Sequence, residues 1–334
     1  MGNSRDRGGR GAGRPSPRSE PSSEWSSALS TADRGPLRLG TRKSLMAMTQ
    51  SRLVADALTE RTGHAVELVG VTTEGDVSKA LLAQIGGTGV FVNALRDTLL
   101  AGEVDFAVHS LKDLPTGPAE GIALAATPVR DDPRDALCGP CKLADLPRGA
   151  RVGTGSPRRV AQLRAMRPDL DVVAIRGNAD TRLRKVADGE LDAVVLAHAG
   201  LRRIGRLDAV AEVFDPDQML PAPGQGALAL ECATGRDDLR ALLGTVDDPM
   251  TRACVTAERT VLAVLEGGCS APVGTYAAEV EEELHLTATV AAFDGSRQIR
   301  LSASGHPDDA ERLGRDLAHR LLAQGADQLM GERD

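Results

Sequence analysis

Six arginines, one aspartate and one cysteine carry most of the chemistry this sequence can offer. Arg42, Arg158, Arg159, Arg176, Arg182 and Arg203 each fall at the end of an expected strand or in the turn after it. The densest stretch, 152–182, reads VGTGSPRRVAQLRAMRPDLDVVAIRGNADTR. Strand, glycine-rich turn and helix occur twice within it, with arginine at both turns. Open α/β sheets bind ligands at the carboxyl ends of their strands. Helix N-termini there favour anions, and a guanidinium grips carboxylate or phosphate in two-point contact. The expected ligand is an anion with several carboxylates. Taken singly, any of these arginines could be an ordinary surface residue paired with a nearby acid. As a group along one sheet edge they read as a site.

Asp113 lies in HSLKDLP (109–115), just past an expected strand end. It is either a surface partner of Lys112 or a carboxylate that faces a developing cation and moves a proton. His109 reads more readily as a structural hydrogen-bonding residue. Cys269 follows Gly267-Gly268 at the end of a long helix. Buried filler, nucleophile and attachment point are all open to it. Cys138-Gly139-Pro140-Cys141 spells a redox dithiol. It lies between Pro133 and Pro147, without the strand and helix of a βαβ unit around it. No second Cys or His pair has zinc spacing, so no metal is expected. The glycines at 86–89 and 224–226 match neither a Walker loop nor a dinucleotide fingerprint. Gly224-Gln225-Gly226 reads as a hinge.

The elements that must position these groups follow from composition and periodicity. At 334 residues, 41% hydrophobic and only 2% aromatic, the chain must build two or three cores from Ala, Val and Leu. Net charge is −7, yet residues 151–206 hold eleven Arg and one Lys against six acids. A basic region on an acidic chain poor in aromatics argues for an anion site and against nucleic acid. No apolar run approaches a membrane span. Residues 1–36 are rich in Gly, Ser, Pro and Arg and are expected to be disordered. They lack the apolar centre of an export signal. A cytoplasmic location with five reduced cysteines is expected. Strands are predicted at 37–42, 66–71, 105–108, 122–126, 172–175, 192–196 and 227–232. Helices are predicted at 45–60 behind a Ser44 cap, at 92–101, and after 157 and 180. This alternation predicts βαβ units and a parallel sheet. The chain crosses to a second domain at 127–134 and back at 219–226, with 227–232 rejoining the first sheet. A helix over 249–265 is expected to end in a left-handed glycine. Alternating stretches at 284–292 and 297–304, then a helix over 307–323, read as a small α+β domain. The divisions are a tail, 1–36; a first domain, 37–128 with 227–246; a second, 129–226; and a third, 247–334.

Eight motifs occur in a fixed order: LGTRKS (39–44), FAVHSLKDLP (106–115), DDPRDA (131–136), VGTGSPRR (152–159), IRGNADTRL (175–183), LAHAGLRRIG (196–205), LPAPGQGAL (220–228) and TAERTVLAVLEGGCSAP (256–272). Together they resemble the hydroxymethylbilane synthase family, also called porphobilinogen deaminase, from about residue 37 onward. The resemblance implies two doubly wound α/β domains similar to type II periplasmic binding proteins, plus a small α+β C-terminal domain. It implies a transferase of porphyrin and heme biosynthesis. Four porphobilinogen molecules are deaminated and joined head to tail, and hydrolysis releases hydroxymethylbilane. The implied cofactor is a dipyrromethane joined by a thioether to Cys269. Asp113 is the implied catalytic carboxylate, facing the pyrrole nitrogens while an electron-deficient azafulvene forms. Ser44, Lys112, Thr154, Ser156, Arg158, Arg159, Gly177 and Arg182 are implied to bind cofactor, and Arg42, Arg176 and Arg203 to bind substrate. Each pyrrole brings an acetate and a propionate, which suits many arginines. A monomer is implied, with porphobilinogen as its partner and neither nucleic acid nor membrane.

The chain departs from the family pattern at Leu45, where Pro is common, and at Thr88-Gly89-Val90-Phe91-Val92-Asn93-Ala94, which lacks the usual charges. Two rivals remain at this point. One is a solute-binding protein of the same architecture without chemistry; the other is an Arg-rich nucleic-acid module, whose binding would fall steeply with salt.

Overall fold

Runs of Val, Leu and Ala build two five-stranded sheets with the same winding. The computed structural model describes residues 35–71, 89–268 and 271–331. The tail at 1–34, most of the glycine break at 86–89, and Cys269 therefore lie outside the described residues. The first sheet starts with β1 (Leu37–Arg42), β2 (Val66–Val71), β3 (Phe106–Ser110) and β4 (Ile122–Ala126). The chain then crosses and forms β5 (Asp135–Cys138), β6 (Arg151–Thr154), β7 (Asp171–Ala174), β8 (Ala193–Ala197) and β9 (Val210–Val213). It crosses back as β10 (Leu228–Ala233). The orders are β2-β1-β3-β10-β4 and β7-β6-β8-β5-β9. One permutation thus serves both sheets, with the strand that arrives from the other sheet in fourth place.

That strand corrects the expectation of parallel sheets. β10 runs antiparallel to both β3 and β4, and β5 antiparallel to both β8 and β9. The other pairs are parallel. A parallel neighbour needs a crossover connection, usually a helix. β5 and β10 instead enter directly from the other sheet, so they insert head to tail.

The helices are α1 (Leu45–Thr62), α2 (Gly89–Leu100), α3 (Pro157–Met166), α4 (Ala179–Ala187), α5 (His198–Arg203) and α6 (Asp237–Leu243). α2 begins ahead of the predicted Val92. α7 (Pro249–Val264) opens with Asp248 Oδ1 accepting from Thr251 N at 2.7 Å and Pro249 in the first turn. α7 and α8 (Ala310–Ala323) cover an antiparallel sheet of β11 (Val273–Val280), β12 (Glu283–Ala291) and β13 (Gln298–Gly305), and α9 (Ala326–Leu329) closes the chain. Their core joins Val261, Leu265, Leu286, Val290, Leu317 and Leu321, all fully buried. The fold is thus two doubly wound sheet domains and a small α+β domain. The left-handed residue after α7 is Glu266 (φ 49°), where a glycine was expected. Gly267 serves close packing instead, since a Cβ there would lie 2.6 Å from Leu262 Cδ1.

A buried ion pair fastens both crossings to the third domain. Glu258 on α7 accepts from Arg130 Nη1 at 2.7 Å and Nη2 at 2.9 Å. It also accepts from Gly224 N at 2.7 Å and, on β11, from Ala277 N at 2.8 Å. Arg130 Nε donates to Gln225 O at 2.8 Å. Burial alone would lower the Arg130 pKa, but Glu258 outweighs it and raises the value.

Candidate active site

Each parallel strand delivers its candidate residues at its carboxyl end. After β1, Arg42 leads to Ser44, whose Oγ caps α1 by accepting from Ala47 N at 3.3 Å. After β3 comes one turn of 3-10 helix, Leu111–Asp113, whose first N–H donates to Ala227 O at 3.0 Å. After β6, Gly155 passes so near β7 that a Cβ would lie 2.7 Å from Ile175 O. Ser156 then occupies the N-cap position of α3 with no hydrogen bond from its side chain to the helix. After β7, Gly177 has φ 107°, a conformation only glycine adopts readily. Asn178 caps α4, its Oδ1 accepting from Thr181 N at 2.9 Å.

Two adjoining cavities gather part of this set. One, about 220 Å³, is lined by Lys112 and Asp113 from the first sheet and by Ser156, Arg158, Arg159 and Arg182 from the second. Its third side comes from Leu262, Gly268, Ala271 and Val273. Gly268 and Ala271 are the described residues on either side of positions 269–270. The second cavity, about 110 Å³, includes Arg42, Ser44, His109 and Asp113. Among the described residues, Asp113 is the one common to both. A larger cavity of about 660 Å³ lies elsewhere, between the first sheet and helices α7 and α8.

Two residues that the sequence did not connect with the arginines, Asp135 and Gln225, organise the cationic wall. Asp135, on β5, is wholly buried. Its Oδ2 accepts from Arg158 Nη1 at 2.7 Å, and its Oδ1 from Arg159 Nη2 at 2.7 Å. Burial would raise this carboxyl, but Arg158 and Arg159 hold it well below the ordinary range. Gln225 donates Nε2 to Asp135 Oδ1 at 2.8 Å, and its Oε1 accepts from Lys112 Nζ at 3.3 Å. Gln225 thus links the lysine of one sheet to the arginine cluster of the other. Arg158 Nε is buried without a hydrogen-bond partner among the described residues.

Thr154, Arg176, Gly177 and Arg203 stand apart from the two cavities. Thr154 is buried, and its Oγ1 accepts from Ser156 N at 3.2 Å. Arg176 is exposed, and Gly177 O accepts from Arg182 Nε at 2.8 Å. Arg203 donates to Asp131 Oδ2 at 2.8 Å and to Gly226 O at 2.6 Å. It binds the crossings and lines neither cavity. His109, beside the smaller cavity, brings Nε2 to 3.3 Å from Glu231 Oε2 without hydrogen-bond alignment, so the hydrogen bond expected of it is not made there. Cys138 ends strand β5, which the sequence reading missed, and no helix follows it directly. Burial pushes its thiol up to about 12, opposite to the lowered value of a redox thiol. Among the described residues, no group of three or more His, Cys, Asp or Glu could hold a metal.

Comparison with known proteins decides what this geometry belongs to. The family model described as porphobilinogen deaminase, dipyrromethane cofactor binding domain, matches residues 37–241. The porphobilinogen deaminase C-terminal domain model matches residues 252–323. The chain belongs to the porphobilinogen deaminase family. It is 63% identical over 309 residues to the porphobilinogen deaminase of Thermobifida fusca, covering 89% of this chain and 96% of the relative. It is 57% identical over 312 residues to porphobilinogen deaminase 1 of Streptomyces coelicolor, covering 89% and 98%. Among solved structures, an ABC transporter periplasmic substrate-binding protein from Coxiella burnetii aligns with a TM-score of 0.42 at 13% identity, over 67% of this chain and 96% of that one. The fold assignment rests on the strand orders.

The first porphobilinogen deaminase match spans every strand of both five-stranded sheets. The cavity fits the family's dipyrromethane by its donor set. Three guanidinium groups and an ammonium line it, and the unpartnered Arg158 Nε lies within that cluster. Carboxylates are the matching acceptors. Lys112 is pushed down to about 8, chiefly by burial and further by Arg159 and Arg158, against the pull of Asp113 and Asp135. Below that pH it carries charge; above it the amine is neutral while an ordinary lysine is still protonated. In protein freed of cofactor, Lys112 should therefore react with an acylating reagent half-maximally near pH 8, read by peptide mass mapping over a pH series. Half-maximal labelling near 10.5 would show an unperturbed lysine.

Proposed function

We propose that Asp113 carries the chemistry of this chain and that the paired cavities hold the cofactor and the growing product. As a porphobilinogen deaminase family member the chain is a hydroxymethylbilane synthase, a transferase of porphyrin biosynthesis with a dipyrromethane cofactor. The observation that carries the site reading is the position of Asp113. Among the described residues it alone lines both cavities, and it shares the larger of them with Lys112, Arg158, Arg159, Arg182, Gly268 and Ala271.

Four porphobilinogen molecules lose ammonia and join head to tail, and water then releases the linear tetrapyrrole. Bound through a thioether at Cys269, the dipyrromethane supplies the pyrrole carbon that accepts the first unit. Loss of ammonia leaves positive charge shared with the pyrrole nitrogen. The Asp113 carboxylate balances that charge and holds the proton of that nitrogen. Lys112, Ser156, Arg158, Arg159 and Arg182 bind acetate and propionate groups on one side; Arg42 and Ser44 do so on the other. Thr154 and Gly177 shape the two turns. Arg176 and Arg203 are assigned to incoming substrate, which Arg203 reaches by exchanging its bonds to Asp131 and Gly226. The same reading includes domains at 37–128 with 227–246, 129–226 and 247–334, a monomer, porphobilinogen as partner and a cytoplasmic location.

Intact-mass measurement tests the anchor. The parent protein should carry the added mass of one dipyrromethane, and a Cys269→Ser variant should not. An unmodified mass for folded parent protein reconstituted with porphobilinogen would overturn the assignment.

A further inference from the structure

We propose that Arg259 is a positioning residue that sets the Asp113 turn against the helix leading to the cofactor loop; this rests on the reading of Asp113 as the catalytic carboxylate. The turn Leu111–Asp113 is a single hydrogen-bonded loop, closed by Leu114 N donating to Leu111 O at 3.1 Å. Its start is pinned by Leu111 N to Ala227 O. Its carbonyl side is held from outside the first sheet. Arg259 Nη1 on α7 donates to Leu111 O at 3.1 Å and Leu114 O at 3.0 Å, and Nη2 donates to Pro115 O at 2.7 Å. These three carbonyls bracket Asp113.

The acceptors are all main chain, so the contact fixes backbone position and not merely a side-chain rotamer. A planar guanidinium can address three carbonyls at once, whereas an ammonium on a flexible stem cannot hold the same fork. Leu262, three residues on and hence on the same face of α7, lines the 220 Å³ cavity with Asp113. α7 then runs out toward Gly268 at that cavity's edge. One side chain thus ties the reacting carboxylate to the element that presents the cofactor segment. Arg259 also borders the separate 660 Å³ cavity, which gives a small solute access to its place.

The test uses full-length holoenzyme carrying Arg259→Ala or Arg259→Lys, beside Asp113→Asn. A displacement of a catalytic group by about 1 Å costs about 100-fold. Arg259→Ala should therefore lower kcat by about 100-fold with KM nearly unchanged, and speed amide exchange at Leu114. Its cofactor mass should be retained, added guanidinium should restore part of kcat, and Arg259→Lys should fall between. Parental kcat in Arg259→Ala, with Asp113→Asn inactive, would overturn the positioning role. So would a loss of kcat without faster Leu114 exchange or guanidinium rescue, which would mark a general packing defect. Full turnover in Asp113→Asn would instead overturn the Asp113 reading, and this proposal with it.

Discussion

An Asp113→Ala variant should fold as the parent does and lose turnover by about 10³-fold, the size expected when a group that both balances charge and moves a proton is removed. The fold should survive because the turn does not depend on this side chain. Main-chain bonds from Leu114 N and to Ala227 O close and anchor it. Asp113 is exposed, and no hydrogen bond to its carboxylate is made among the described residues. Asp113→Asn keeps the shape and removes the charge, so it should be nearly as impaired. Steady-state kcat beside a thermal melt separates the two effects. Parental turnover with a parental melt would remove Asp113 from the mechanism.

The largest loss of stability is expected at Glu258→Ala. Glu258 is fully buried and accepts four hydrogen bonds, two from Arg130 and two from main-chain N–H groups. Removing it leaves a guanidinium in the interior without its counter-charge, which costs about 3–5 kcal/mol. For a chain of this length the melting temperature should drop by about 10 °C. Glu258→Gln, which keeps an acceptor but not the charge, should lose less. Thermal melts of both variants check this, and a parental melt for Glu258→Ala would show that the crossings are held by other contacts.

The parts of the site that the sequence made legible are those fixed by one strand and its own turn. The shared edge of parallel strands pointed to Arg42, Asp113, Arg158, Arg159 and Arg182, which line the cavities, but equally to Arg176 and Arg203, which do not; Lys112 and Ser156 came from the family resemblance. Asp135 and Gln225 were hidden because their meaning is long-range. Asp135 lies 23 residues from Arg158, and Gln225 lies 90 from Asp135. Nothing local marks a polar residue that will be buried between two cations. β5 escaped notice because Asp135–Cys138 is a four-residue run set between Pro133 and Pro140. Its direction was equally unreadable, since no helix betrays how it enters. The dithiol spelling at Cys138 misleads in the other way: its letters match a motif, and burial decides the chemistry.

The place of β10 has a consequence for how the molecule comes into being. Among the described strands, β4 pairs with its sheet only through β10. A ribosome therefore releases β4, then the entire second sheet, before the partner of β4 exists. The second sheet has all its described strands once Val213 has emerged; the first must wait for Ala233. Unpaired strand edges invite wrong pairing in nascent chains. Translation between Ala126 and Ala233 is the interval in which the first sheet stands open to misassociation.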